Sequence, residues 1–312
     1  MSSSPRPPMK LRFRVPAPPS RSPVHERHLI KKTPLIGASF VRRAIPQRDR
    51  RLIGGWCFLD HMGPGVVGDH PMDVPAHPHI GLQTVTWLLH GALLHRDSVG
   101  SAQLIRPGQL NWMTAGRGIV HAEEGRTPAG GRMHGVQLWV ALPNVHQDIA
   151  PAFEHHPVLP RLNVDGMAVT LLAGELDGQV SPATTYSPLF GAEVTLPDAQ
   201  LRELPLNPDH EYGVVVLEGE AAVDGEDLND ETLLYLGMGR SAVRLAGKPS
   251  ATAMVIGGAP LGEDVLLWWN FVFTDPAQAA QAREDWAERR ARFPGVPGYD
   301  GGRLPAPPPF RY

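Results

Sequence analysis

The sequence predicts an all-β protein built from two small antiparallel barrels, followed by a short C-terminal helix. Three observations carry that reading. Glycine and proline number 33 each in 312 residues and are spread along the chain, which suits many short strands joined by tight turns. Runs rich in Val, Leu, Thr and aromatic residues alternate with polar positions at a period of two. Two pairs of candidate ligands, His77 with His79 and His121 with Glu123, each skip one residue, and on a strand that spacing turns both members to one face.

Residues 1–25 hold Ser, Pro and Arg with too little apolar content for a core, and are expected to form a flexible tail. A first barrel is assigned to 26–150. Its candidate strands are 35–41 and 56–59, with a turn at 60–65, then the histidine pair and a strand at 82–88. Turns follow at 90–91 and 97–100. A short strand at 103–106 stops at Pro107-Gly108, and 111–113 continues the wall. The glycine-rich turn 115–118 leads into the strand of His121 and Glu123, and a last strand, 134–142, stops at Pro143. Such a set describes a small antiparallel barrel or jelly roll. A second barrel is assigned to 151–275 from hairpin-like segments at 212–219 with 221–225, 232–237, 241–245 and 250–256. Within 276–312, a helix is predicted over 276–292. Thr274 or Asp275 would cap it, Pro276 suits its first turn, and the chain beyond Phe293 would lie extended.

Composition narrows the function. A net charge of -3, with the arginines at 42–43 and 48–51 balanced elsewhere by acids, offers no footprint for nucleic acid. No apolar run approaches the length of a membrane helix, and the first 25 residues lack the apolar centre of a secretory signal. A cytoplasmic location follows as the expectation. The single cysteine, Cys57, excludes an internal disulfide and multi-cysteine metal sites, and its apolar setting suggests a buried, inert thiol.

Histidine occurs 14 times, so one histidine alone carries little weight. His25, His28, His146, His155 and His156 read as surface or satisfied core residues. His61, His70, His90, His95 and His134 flank the two pairs and are not expected as ligands, although some could support the ligands from behind. Taken alone, His77-Pro-His79 fits a solvent-facing strand equally well. The second pair 42 positions further on, entered through a glycine-rich turn, favours a metal. Two such strands facing one another would converge three imidazoles and one carboxylate, a set that suits Fe, Mn, Ni, Cu or Zn with positions left open for chemistry. Fe(II) is the first choice.

At these residues the chain resembles the pirin family of metal-binding bicupins. The series FLDHMGP at 58–64, HPHIG at 77–81, TVTWL at 84–88, HRDS at 95–98, Pro107-Gly108 and WMTAGRGIVHAE at 112–123 carries the resemblance. Looser matches lie at 213–219 and 257–262. The resemblance implies two cupin barrels packed face to face, with one divalent metal in the first, held by His77, His79, His121 and Glu123. It implies a second barrel without metal, where His210 and Glu211 are adjacent rather than alternating. It further implies a quercetin 2,3-dioxygenase, which opens a flavonol with O2 and releases carbon monoxide, with Glu123 as ligand and general base. The expected partners are a planar phenolic substrate and O2, on a monomeric protein. Trp87, Trp112 and Met113 are candidates for the pocket wall, with core packing as the competing reading. The alternative function is a metal- and redox-sensing regulator that binds a transcription factor or a metabolic enzyme.

Overall fold

The period-two segments curl into two antiparallel barrels in the computed structural model, which describes residues 22–34, 40–68 and 72–308. In the first barrel a seven-stranded sheet runs in the order Ala152–His156, Leu110–Thr114, Leu82–His90, Arg132–Ala141, Trp56–Val66, Phe40–Ile45 and Lys31–Pro34. A four-stranded sheet opposes it, in the order Val74–His79, Ile119–Gly125, Leu93–Asp97 and Ala102–Ile105. The second barrel centres on Glu211–Val223 and the 17-residue strand Ala242–Gly258, flanked by Leu189–Leu196, Met167–Ala173 and Thr232–Gly237. The two segments expected at 241–245 and 250–256 are therefore one bent strand.

Strand alternation decides what each face meets. In the seven-stranded sheet, Leu59, Val85, Trp87, Trp112, Val136 and Leu138 turn toward the second barrel. There they join Leu172, Leu189, Val215, Leu217, Tyr235, Met254 and Ile256 in one continuous apolar cluster, so the barrels share a core. Trp56 is fully buried at this seam, and its indole N–H donates to the carbonyls of Phe190 and Gly257, each at 3.0 Å. Glu211 ties the same seam. Its carboxylate accepts from the Gly54 amide at 2.7 Å and the Tyr235 hydroxyl at 2.6 Å. The second barrel's own interior is filled by aliphatic side chains such as Val169, Leu171, Val194, Leu204, Val214 and Val255.

Several expectations change. The turn expected at 60–65 lies inside the strand Trp56–Val66, because a β-bulge absorbs Gly63 and Pro64 while Met62 and Gly65 still pair with Gly135 and Met133. A strand crosses the division expected at 25/26, and the strand that follows the one expected at 150/151 still belongs to the first barrel. Pro23–Leu29 pairs with Thr232–Gly237 of the second barrel, whereas Ala152–His156 pairs with Leu110–Thr114 of the first. Most of the strand expected at 35–41 lies outside the described residues, and the neighbouring strand is Phe40–Ile45.

The helix Pro276–Ala287 starts where expected. Asp275 caps it by accepting from the Ala277 amide, and Gln278 completes a capping box. It ends five residues before the expected 292, because Arg289 takes a left-handed φ of +54°. The chain then turns Phe293 onto Phe271 and Trp286. Helix and tail pack onto the first barrel, with Ala279, Ala282 and Trp286 against Ala76, Ile80, Val120 and Phe271. Among the described residues no helix is long and apolar enough to cross a membrane.

Since Trp56 fills the seam and holds two carbonyls there, Trp56→Ala is expected to cost about 3–5 kcal/mol of unfolding free energy. A denaturant melt followed by circular dichroism measures this. An unchanged midpoint would contradict the shared-core description.

Candidate metal centre

The strands Val74–His79 and Ile119–Gly125 are hydrogen-bonded neighbours in the four-stranded sheet, side by side rather than opposite one another across the barrel. His121 stands directly across from His77, and Ile119 stands across from His79. Cross-strand partners share a face, as do residues two apart, so this register delivers all three imidazoles to one spot. One ring nitrogen from each of His77, His79 and His121 lies within 4.8 Å of the others. The ring centroids are 4.3–5.0 Å apart, and all three side chains are buried.

Glu123 follows His121 on the same face. A bulge in the partner strand shifts the register, however, and sets Glu123 across from Val74. Its carboxylate lines the cavity outside the 4.8 Å cluster. Burial pushes the Glu123 carboxyl up to about 7.

The donor set fits a transition ion. Burial lowers all three imidazoles. His77 falls to about 4 despite a bond to Pro75 that opposes the fall, and His79 and His121 lie well below their ordinary value. Neutral rings leave nitrogen lone pairs available. The His77 Nδ1–H donates to the Pro75 carbonyl at 2.8 Å, and the His79 Nδ1–H donates to the Asn270 carbonyl at 3.1 Å. Each Nε2 of these two rings is therefore a bare lone pair, and that of His79 faces His121 Nε2 at 3.1 Å. Imidazole nitrogens without thiolates suit Fe, Mn, Ni, Cu or Zn.

The cluster opens into a cavity of about 460 Å³. One wall is a stacked column. Arg43 sits 4.5 Å over Phe58, Phe58 stacks on Trp139 at 3.9 Å, and Trp139 meets His79 edge-on at 5.1 Å. Arg43 also grips buried Asp60 through two bonds of 2.8 and 2.7 Å. Burial pushes the Asp60 carboxyl up, with the Arg43 guanidinium opposing.

The far wall comes from distant sequence: Leu267, Trp269, Asn270 and Leu304. Hydrogen bonds seat it, from Val272 to Ile80 at 2.9 Å and from Leu304 to Ala76 at 2.9 Å. The sequence assigns 267–270 to the second barrel and 304 to the extended tail, and both instead return to the first barrel, which nothing local in the chain signals.

The other residues named from sequence take different places. Trp87 and Trp112 point into the seam between barrels, and Met113 packs with Leu82, Ile119 and Trp139 in a separate buried cluster. Phe58 and Trp139 line the cavity in their stead. His61 and His134 meet each other at 2.7 Å beneath the second barrel, where His134 and His90 approach Glu218. His95 lies beside His121, and His70 is outside the described residues.

Comparison with known proteins agrees with this architecture. The pirin family model matches residues 39–140, and the model of the pirin C-terminal cupin domain matches 191–293. A Pseudomonas aeruginosa protein named "Putative quercetin 2,3-dioxygenase" is 46% identical over 292 residues, covering 92% of each chain. A pirin-like protein of Caulobacter vibrioides is 39% identical over 84% of this chain and 92% of its own length. The crystal structure of a quercetin 2,3-dioxygenase from Acinetobacter baumannii superposes with a TM-score of 0.87 at 41% identity, covering 91% of this chain and 95% of that one.

The raised Glu123 carboxyl has a consequence for the metal-free protein. A carboxyl near 7 when folded and near its ordinary value when unfolded adds stability that is full below about pH 4.5 and is lost as pH rises through 7. Metal-free Glu123→Gln should therefore match the parent near pH 4.5 and exceed it at pH 8, by up to about 3 kcal/mol. Parallel denaturant melts at the two pH values measure the difference. A variant less stable than the parent at pH 8 would contradict the buried-carboxyl description.

Proposed function

The chain belongs to the pirin family, and on that premise we propose that it is a metal-dependent dioxygenase of flavonol-like small molecules, of the quercetin 2,3-dioxygenase type. The observation that carries the proposal is the convergence of three buried imidazoles on a cavity that also holds the Glu123 carboxyl. His77, His79, His121 and Glu123 would hold one divalent ion, with Fe(II) the first choice among Fe, Mn, Ni, Cu and Zn. That ion would supply Lewis acidity toward the flavonol 3-oxygen and a centre for O2 chemistry.

The chain's own groups then have definite tasks. Glu123 lines the cavity beside the three histidines, so its carboxylate, when released from the ion, can accept the flavonol 3-hydroxyl proton and hold it during turnover. The Phe58–Trp139 slab, with Val41, Leu93 and Trp269, offers apolar contact to a planar ring system and keeps bulk water from the reacting carbons. Arg43 is held in place by Asp60 and Phe58, and its guanidinium lies where a substrate hydroxyl or carbonyl entering the cavity can meet it. The backbone carbonyls of Pro75 and Asn270 keep His77 and His79 in the ligating tautomer.

Iron-loaded protein is expected to consume quercetin and release carbon monoxide in equal amounts, and His79→Ala is expected to abolish both. Gas analysis beside absorbance of the flavonol reads the two together. No turnover with any of the five metals, or normal turnover by His79→Ala, would overturn the assignment.

A further inference from the structure

Among the described residues no backbone carbonyl meets the ring of the third ligand, and a different device stands in that place. Like the ligand pairs, His95 and Asp97 skip one residue, so their side chains share the face of His121 and Glu123, to which they pair across the strands. His121 Nδ1 lies 3.4 Å from His95 Nδ1, and His95 Nε2 lies 2.9 Å from Asp97 Oδ2. The other carboxylate oxygen, Oδ1, accepts the backbone amides of Val99 at 3.0 Å and Ser101 at 2.9 Å. All three side chains are buried, and Phe153 stacks on the His95 ring at 4.3 Å.

Hydrogen positions in this chain follow from one end. Asp97 can only accept, so His95 carries its hydrogen on Nε2. His95 Nδ1 is then a lone pair, and His121 must donate to it from Nδ1. The hydrogen on His121 is thus kept off Nε2, the nitrogen that faces His79. We propose that Asp97, acting through His95, is a positioning residue that fixes His121 as the third nitrogen ligand and strengthens its donation to the ion. The inference rests on the metal-site reading above and goes beyond it by adding two residues that touch neither metal nor substrate. Carboxylate–histidine support of a ligand is a general device, here lengthened by one imidazole.

The substitution Asp97→Asn distinguishes this role from simple packing. Two backbone amides require an oxygen at the Oδ1 position, so the new amide nitrogen must face His95 Nε2. The chain then reverses. His95 accepts at Nε2 and donates from Nδ1, and His121 is left with its hydrogen on Nε2, where the ion would bind. His95→Phe keeps the stack on Phe153 and removes the relay without reversing it.

The full-length metal-free chain is titrated with Co(II), reading affinity by competition and ligand set by the d–d absorption. The wild type should bind one ion. Asp97→Asn should bind ten- to a hundredfold more weakly with altered bands, and His95→Phe should lose affinity to a smaller degree. Affinity and bands equal to wild type in Asp97→Asn overturn the relay, as does a larger loss in His95→Phe than in Asp97→Asn. If Asp97→Asn does not fold, His95→Phe decides alone, and unchanged binding by it overturns the relay. A wild-type chain that takes up no Co(II) overturns the metal reading itself, and the relay with it.

Discussion

The register between Val74–His79 and Ile119–Gly125 governs the site. With His121 directly across from His77, both strands turn their histidines to the same side of one sheet, and a shift of one residue would send one set outward. Burying three imidazoles and a carboxyl so close together is unfavourable for their charged forms, which is why the rings are held neutral. Neutral lone pairs turned toward one another find no hydrogen-bond donor among themselves. A cation at their centre satisfies all of them, so ligand binding and local stability are linked.

The remainder of the chain holds that register. The seven-stranded sheet is buried on both faces. One face shares a core with the second barrel, and the other supplies Phe58, Asp60, Gln137 and Trp139 to the cavity. The second barrel is filled with aliphatic side chains and contributes one side of the core it shares with this sheet. The C-terminal segment then returns to the first barrel. Its Asn270 carbonyl orients His79, and its Leu304 closes the cavity, so residues far apart in sequence complete one site.

Much of this was legible in the sequence, for reasons particular residues make plain. Period-two spacing pointed to the convergence of His77, His79 and His121, because strand geometry obliges residues two apart to share a face. The helix start was equally readable from Asp275 and Pro276. Three features were not. Alternation shows that Trp87 and Trp112 point away from their immediate neighbours but not which side is the cavity, and both proved to face the seam. A bulge within 74–77 displaces Glu123 from the register of the histidines, and a single extra residue leaves no mark on composition. Finally, the wall formed by Trp269, Asn270 and Leu304 depends on the long-range return of the chain, which no local pattern encodes.

Metal content of the protein purified from its native cells tests the central proposition most directly. If His77, His79 and His121 form the proposed metal centre, one first-row transition ion per chain is retained through purification and is absent from His77→Ala prepared in the same way. A native protein free of such metal, or a variant that keeps a full equivalent, would contradict it.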